Sequence, residues 1–305
     1  MSVAADGHGS GSFAQPFAKR AVLVTGGAGF IGSHLVELLA DAGAVVTVLD
    51  NLFSGAAANL AGCRDRLELV HADVLDEAFP KLVASRSFDT IFHLAANSYV
   101  PPSVERPWDD FQRNLVATMR LLEVLRESAA PTKLILTSSA AVYGDLDASP
   151  IHEGHPTVPI SPYGVSKLAV ERYGAVYAGL YGLRVASLRL FSVYGPRQRK
   201  QVVYDVLRKI NESDGDVRMF GDGTQVRDFN YVTDTASAAL AVAATSPLRG
   251  EVYNVAGGSP WSIRELVDML IHLTGRRVKV HWSGQVRPGD PQRWLADGSR
   301  LAMLG

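Results

Sequence analysis

Val22 to His34 reads VLVTGGAGFIGSH, and few folds accommodate such a stretch. A short apolar run, Ala21 to Val24, reads as a buried strand, and Gly27-x-Gly29-x-x-Gly32 follows at once. A helical pattern then runs from Ile31 to Leu39, with Leu35, Leu38 and Leu39 on one face. Strand, glycine turn and helix in that order form the setting in which a dinucleotide is bound. One glycine allows the tight turn, one lets backbone approach a pyrophosphate, and one lets helix and strand pack closely. The helix N-terminus adds free N–H groups and partial positive charge. A glycine-rich surface turn could show the same letters. The next strand, Val45 to Leu49, argues against that, because it ends in Asp50. An acid about 20 residues beyond the glycines is placed to bond the adenosine ribose hydroxyls. It would repel the extra phosphate of NADP, so the pattern reads as NAD.

The remaining composition narrows the class. At 305 residues the chain can hold one large domain or two modest ones. Hydrophobic residues make up 47% and charged residues 20%, as in ordinary globular enzymes. The formal net charge of −1 gives no case for a nucleic-acid or membrane-surface partner. A single cysteine, Cys63, excludes an internal disulfide and fits a reducing, cytoplasmic setting. Residues 1–19 are rich in Gly, Ser and Ala, do not resemble a signal peptide, and read as a flexible arm. No run of 18 apolar residues is present, so no membrane span is expected.

Strands and helices keep alternating beyond Asp50. Leu67 to His71, Thr90 to Leu94, Lys133 to Thr137 and Arg184 to Leu190 read as strands. Helical patterns fall at about Glu77 to Ser85, Trp108 to Ser128 and Pro162 to Leu180. This series implies an α/β fold with a doubly wound parallel sheet over residues 20–197. From about Gln198 helices mix with short strands. Residues 198–305 read as a smaller, mixed α/β region closing a cleft over the strand ends, with some segments free to return to the first domain.

Tyr163-x-x-x-Lys167 lies on the helix after Pro162, at i and i+4, so both side chains share a face. A tyrosine near pKa ~10 is a poor base at neutral pH. An adjacent ammonium would stabilise the phenolate and lower that value. The same spacing also suits an ordinary half-exposed helix face. Thr137-Ser138-Ser139 ends a strand, where ligands bind in such sheets. A hydroxyl there can bond a substrate oxygen, although Ser138 reads better as a turn or capping serine.

With these residues in view, the chain resembles the extended short-chain dehydrogenase/reductase family, in its nucleotide-sugar epimerase/dehydratase branch, closest to UDP-sugar 4-epimerases. The matching segments are TGGAGFIGSH, Asp50, Asp73, HLAA (93–96), Asn114, SSAAVYG, SPYGVSK, RLFSVYGPRQ, GDGTQVRDFNYVTD and RPGD (287–290), from about Val22 onward. The resemblance implies a Rossmann-type sheet and bound NAD. It places Gly26, Gly29, Phe30 and Ile31 at the pyrophosphate, Asp50 and Asn51 at the adenine ribose, and Asp73 and Val74 at the adenine. Leu94, Ala95, Ala96 and Asn114 would line the dinucleotide groove, with Tyr163 and Lys167 also touching the cofactor. Ser139, Tyr163 and Lys167 match the catalytic triad. Arg227 and Arg287 match arginines that hold the diphosphate of a nucleotide sugar, a task suited to their planar forks. Each could instead form a surface ion pair, for instance with Asp228 or Asp290.

Two departures matter. Dehydratases of this family carry an acid pair, and the decarboxylating branch a Glu, where this chain has Ala140 and Ala141. Alanine cannot protonate a leaving hydroxyl. Ser192 stands where many members have Asn, and with Arg199 it resembles members that recognise a uronate carboxylate, although Lys200 replaces their usual proline. The expected activity is therefore epimerisation at carbon 4 of a nucleotide sugar, UDP-glucose/galactose or UDP-glucuronate. The alternatives are a dehydratase or one-way oxidoreductase of the same family, or a non-catalytic NAD-binding regulator. The resemblance also implies a homodimer, and a further helix beyond Gly305 in many members. His71, His93, His152 and His155 lack metal-ligand spacing and read as core or loop histidines, so no metal site is expected.

Overall fold

The chain runs through β1 (Ala21–Thr25), α1 (Phe30–Asp41), β2 (Val45–Asp50), β3 (Leu67–His71), α2 (Ala78–Ser85) and β4 (Thr90–His93). Next come α3 (Val100–Glu105), α4 (Pro107–Phe111), a π-helical turn at Gln112–Val116, α5 (Ala117–Ser128), β5 (Lys133–Ser139), α6 (Pro162–Tyr181) and β6 (Arg184–Leu190). The remainder holds β7 (Ser192–Tyr194), α7 (Val202–Glu212), β8 (Asp216–Met219), β9 (Val226–Tyr231), α8 (Val232–Thr245), β10 (Arg249–Val255), β11 (Pro260–Ser262), α9 (Ile263–Thr274), β12 (Lys279–Trp282) and α10 (Ser299–Ala302). The structure, a computed structural model, describes residues 13–128, 130–146, 150–285 and 291–305.

Seven parallel strands form the main sheet in the order β10-β6-β5-β4-β1-β2-β3. Both faces are covered, which is why β1 reads as an unbroken apolar run rather than an alternation. Val22 and Val24 point to the face carrying α1 and α8, with Leu35, Val36, Leu39, Val46, Val48, Phe92 and Leu240. Leu23 points to the other, with Leu121, Leu122, Leu134, Leu136 and Val170 from α5, β5 and α6. Leu35 and Leu39 are fully buried, and each contributes roughly 1.5–3 kcal/mol by leaving water.

The two-part division becomes more interwoven in three dimensions. Residues 198–305 do supply a separate small core, in which α7, β8 and α9 bury Val206, Ile210, Met219, Val267 and Leu270. Between these segments, β10 pairs with β6 and α8 packs on α1, so both belong to the main sheet layer. At the other end, the described part of the arm is docked. Ala14 and Phe17 are buried, and the Phe17 ring lies 6.0 Å from that of Phe92. The Gly and Ser content of this segment had pointed to a free arm, but its apolar residues find a place on the core. Residues 1–12 lie outside the described part.

The chain leaves β1 toward β2 and β3 on one side, then crosses to β4 on the other. The carboxyl ends of β1 and β4 therefore flank a crevice, the place where open α/β sheets bind ligands.

Candidate active site

The glycine turn fills that crevice. Gly26 has φ +70°, and a Cβ on it would lie 2.7 Å from the Ala95 nitrogen and 2.9 Å from the Leu94 carbonyl carbon. Gly32 cannot take a Cβ either, because the Gly26 carbonyl oxygen occupies the space. Gly27 has no room for a Cβ beside Val48 either, so the turn keeps the Gly27-x-Gly29-x-x-Gly32 motif read from the sequence and adds Gly26 at its start. Gly29 is the N-cap of α1 and offers no side-chain cap for the amides of the first turn, Phe30 and Ile31 among them. Bare backbone walls and an uncapped helix start fit the pyrophosphate of NAD.

The acidic end of β2 completes this half. Asp50 is buried, and its two oxygens accept from the amides of Ala28 (2.9 Å) and Leu52 (2.8 Å). It therefore braces the glycine turn directly. Asn51 donates its Nδ2 to Asp73 at 2.6 Å, so the residues matched to ribose and adenine recognition already touch one another. Val74 is buried beside them. Across the crevice, the Ala95 amide donates to Thr25 Oγ1 at 3.2 Å, with Leu94 and Ala96 half-buried alongside.

The catalytic candidates converge from β5 and α6. Ser139 ends β5, and its Oγ accepts the Ala141 amide at 3.2 Å. Tyr163 and Lys167 are buried on the face of α6 packed against that strand, and the Tyr163 phenol interacts with the Ser139 side chain. Lys167 donates its Nζ to the Thr137 carbonyl at 2.8 Å and lies 5.9 Å from the Tyr163 ring centre. Burial pushes the Tyr163 phenol up to about 12, against the pull of the Ser139 side chain, and the Asp110 charge raises it further. Burial also pulls Lys167 down to about 8, against the charges of Asp110 and Glu171. The ammonium expected to lower the phenol's pKa does not do so in the protein alone. Desolvation of each group dominates, because both leave water together. Ser138, on the opposite face of β5, bonds Glu171 in the core instead.

The substrate candidates are spread over the second region. Ser192 on β7 is half-buried and pairs with Phe229 of β9, two residues from Arg227. Arg227 is buried, with its Nη1 donating to the Val226 carbonyl at 2.9 Å and its guanidinium 5.3 Å from the Trp294 ring centre. Arg199 is exposed in the turn before α7. Arg287 lies outside the described residues. Ala140 and Ala141 are both buried, Ala140 in a cluster with Val142, Tyr143 and Phe191.

Ser103 and Asp110 escaped the sequence reading. Ser103 of α3 accepts the Tyr163 amide at 3.1 Å and so seats the start of α6. His93 is the core histidine expected, with its Nδ1 2.8 Å from Thr25 Oγ1. Burial and the Lys167 charge hold it neutral, pushed down to about 3. Asn114 is buried in the π-turn, whose one-residue irregularity interrupts what read as a regular helix from Trp108. Such π-bulges are frequent at functional sites. The sole local hint of Asp110 was its spacing of four from Asn114.

Comparison with known proteins agrees with this arrangement. Residues 22–256 match the model of the NAD dependent epimerase/dehydratase family. A putative UDP-glucose 4-epimerase of Methanocaldococcus jannaschii is 35% identical over 288 residues, covering 93% of this chain and 92% of the relative. Among solved structures, a UDP-N-acetylglucosamine 4-epimerase from Methanobrevibacter ruminantium, in complex with UDP-N-acetylmuramic acid, superposes with a TM-score of 0.88 at 34% identity, covering 94% of this chain and 92% of that one. A UDP-glucose 4-epimerase of Thermus thermophilus in complex with NAD gives 0.83 at 36% identity, covering 93% and 92%. With a glycine turn shaped for a dinucleotide, a Ser–Tyr–Lys cluster beside it and this extent of likeness, the chain belongs to the NAD-dependent epimerase/dehydratase family.

Proposed function

We propose that the protein is a 4-epimerase of a UDP-linked sugar. The observation that carries this reading is the convergence of Ser139, Tyr163 and Lys167, the lysine bound to the Thr137 carbonyl of β5, beside a position where buried alanines replace any acid. NAD, when bound, would supply a reversible hydride acceptor at carbon 4. Gly26, Gly29, Phe30 and Ile31 would hold its pyrophosphate, Asp50, Asn51, Asp73 and Val74 its adenosine, and Leu94, Ala95, Ala96 and Asn114 the groove between. Tyr163 takes the proton of the carbon-4 hydroxyl and Ser139 bonds the same oxygen. Lys167 steadies the phenolate from below. The 4-keto sugar turns over in the pocket, and Tyr163 gives the proton back to its oxygen. Ser192, Arg199, Arg227 and Arg287 are assigned to the sugar and its diphosphate. The test is a panel of UDP-glucose, UDP-galactose, UDP-glucuronate and the N-acetylated sugars, without added reductant, read by product chromatography. Interconversion of a 4-epimeric pair supports the reading, and net oxidation or no turnover across the panel rejects it.

Dehydration is not expected, because Ala140 and Ala141 supply neither acid nor base. Mass spectrometry after incubation with UDP-glucose or dTDP-glucose should show no 4-keto-6-deoxy product. Loss of water at a rate near that of epimerisation would overturn this.

NAD should bind more tightly than NADP by at least about tenfold, since the Asp50 carboxylate opposes a ribose phosphate. Calorimetry on cofactor-stripped protein checks this, and equal or tighter NADP binding contradicts the role given to Asp50.

A homodimer fits the surface of α6. Val165, Tyr173, Val176 and Leu180 are exposed within one arc of that helix, and exposed Trp108 stacks on Phe111 on α4. Exposed apolar stripes of this kind mark association faces. A cytoplasmic setting rests on the free, buried Cys63. No helix among the described residues is long and apolar enough to cross a membrane.

A further inference from the structure

We propose that Asp110 is a positioning residue of this site, a buried carboxylate that aligns the polar groups around Tyr163 and Lys167 and sets the charge against which both work. The proposal rests on the roles given above to those two residues. Asp110 is 1% exposed on α4. Its Oδ1 accepts from Asn97 Nδ2 at 2.7 Å and from Asn114 Nδ2 at 3.0 Å, and its Oδ2 accepts from Ser166 Oγ at 2.7 Å. These donors come from three places: the loop after β4, the π-turn, and α6 between Tyr163 and Lys167. Among the described residues no cation lies within ion-pair distance of it, so three neutral dipoles compensate the charge without cancelling it.

The donor set suits a carboxylate. An ionised Asp is acceptor-only and takes all three bonds as they stand, whereas Asn would turn an NH₂ toward Ser166 and force its hydroxyl from donor to acceptor. The carboxylate also dictates how Asn114 lies, because an amide beside it must present nitrogen. That leaves Asn114 Oδ1, buried and without a partner among the described residues, as the open acceptor.

The charged and titratable surroundings are few. Lys167 interacts with Asp110 from α4, Glu171 from its own helix, and neutral His93 from β4. Tyr163 interacts with Ser139 from β5 and with Asp110. Glu171 is already bound to Arg189 by two hydrogen bonds. Asp110 is thus the uncancelled carboxylate shared by both working groups. A nearby negative charge makes every deprotonation harder. It keeps Lys167 an ammonium and raises the proton affinity of Tyr163, matching a residue that must both take and return a proton.

The test is Asp110→Asn, with Ser166→Ala as its companion. The limbs of the kcat profile belong to the coupled Tyr163–Lys167 pair rather than to either residue. In Asp110→Asn both limbs should move to lower pH by about one unit, with kcat reduced and KM for the sugar little changed. Ser166→Ala removes one hydrogen bond but keeps the charge, so it should leave the limbs in place.

A second arm needs no turnover. Folded Lys167 loses its proton near pH 8, below its unfolded value of 10.5. Between those values the unfolded chain holds more protons, so the stability cost of Lys167 fades and melting temperature rises with pH. In Asp110→Asn that rise should begin at lower pH. Should Asp110→Asn fail to fold, Asp110→Glu keeps the charge one methylene further out and should lower turnover without moving the limbs. Unmoved limbs and an unmoved melting onset in Asp110→Asn, or a Glu variant with parental turnover, would overturn the proposal. A parent that epimerises nothing would reject the proposed function, while the melting arm still decides the role of Asp110.

Discussion

Tyr163→Phe should lower turnover by a factor of ~10² to 10⁴, the usual contribution of a positioned general acid–base group, while leaving the fold and NAD binding intact. The change deletes one oxygen and keeps the ring that packs on α6. In the protein alone the phenol sits near 12, so its loss removes a proton donor and acceptor rather than a standing charge. The Ser139 hydroxyl remains bonded to the Ala141 amide, which limits the structural cost. Lys167→Met is expected to behave differently. It should reduce turnover and also loosen NAD, because the lysine is assigned to the phenolate and is matched to a residue that touches the cofactor. Single-turnover rates and calorimetric NAD affinities separate the two variants. A phenylalanine variant that epimerises at nearly the parental rate while holding NAD would make Tyr163 structural and place the base elsewhere.

The largest stability effect is expected behind the catalytic strand. Glu171 and Arg189 have side chains only 2% and 4% exposed, and form two charge-assisted bonds of 2.9 and 2.7 Å. Ser138 donates to the same carboxylate at 2.5 Å. Arg189 continues to the Tyr143 hydroxyl at 2.8 Å and the Glu153 carbonyl at 3.1 Å, and Tyr143 donates to Asn254 at 2.8 Å. This network clamps α6, β5, β6 and β10 beneath the site. Glu171→Gln leaves a buried guanidinium uncompensated and should cost roughly 3–5 kcal/mol, as breaking buried pairs does. Replacing both partners with apolar residues, Glu171→Leu with Arg189→Met, should cost less than the single change, because no orphaned charge remains. Urea unfolding at fixed NAD concentration measures both, since bound cofactor shifts apparent stability. A loss below about 1 kcal/mol for Glu171→Gln would return the pair to the class of dispensable ion pairs.

What the sequence determined by itself is whatever depends on neighbours along the chain. The apolar run before TGGAGFIGSH, the strand ending in Asp50 and the regular alternation of strands and helices were enough for a doubly wound parallel sheet and a dinucleotide turn, because these signals are periodic and local. The shared face of Tyr163 and Lys167 was legible for the same reason, as four residues on one helix fix it. Tertiary structure alone decided which glycine carries the tight turn, since the approach of Leu94 and Ala95 to Gly26 comes from β4, far along the chain. It also decided the sense of the pKa shifts. Spacing puts an ammonium near a phenol, but burial by α4, β4 and β5 moves both groups toward neutrality. The return of α8 and β10 to the main sheet, the docking of Phe17 and the meeting of Asn97, Asn114 and Ser166 on Asp110 had no local signature. Each joins segments distant in sequence, and only packing, which minimises exposed apolar surface and leaves few buried polar groups unpaired, brings them together.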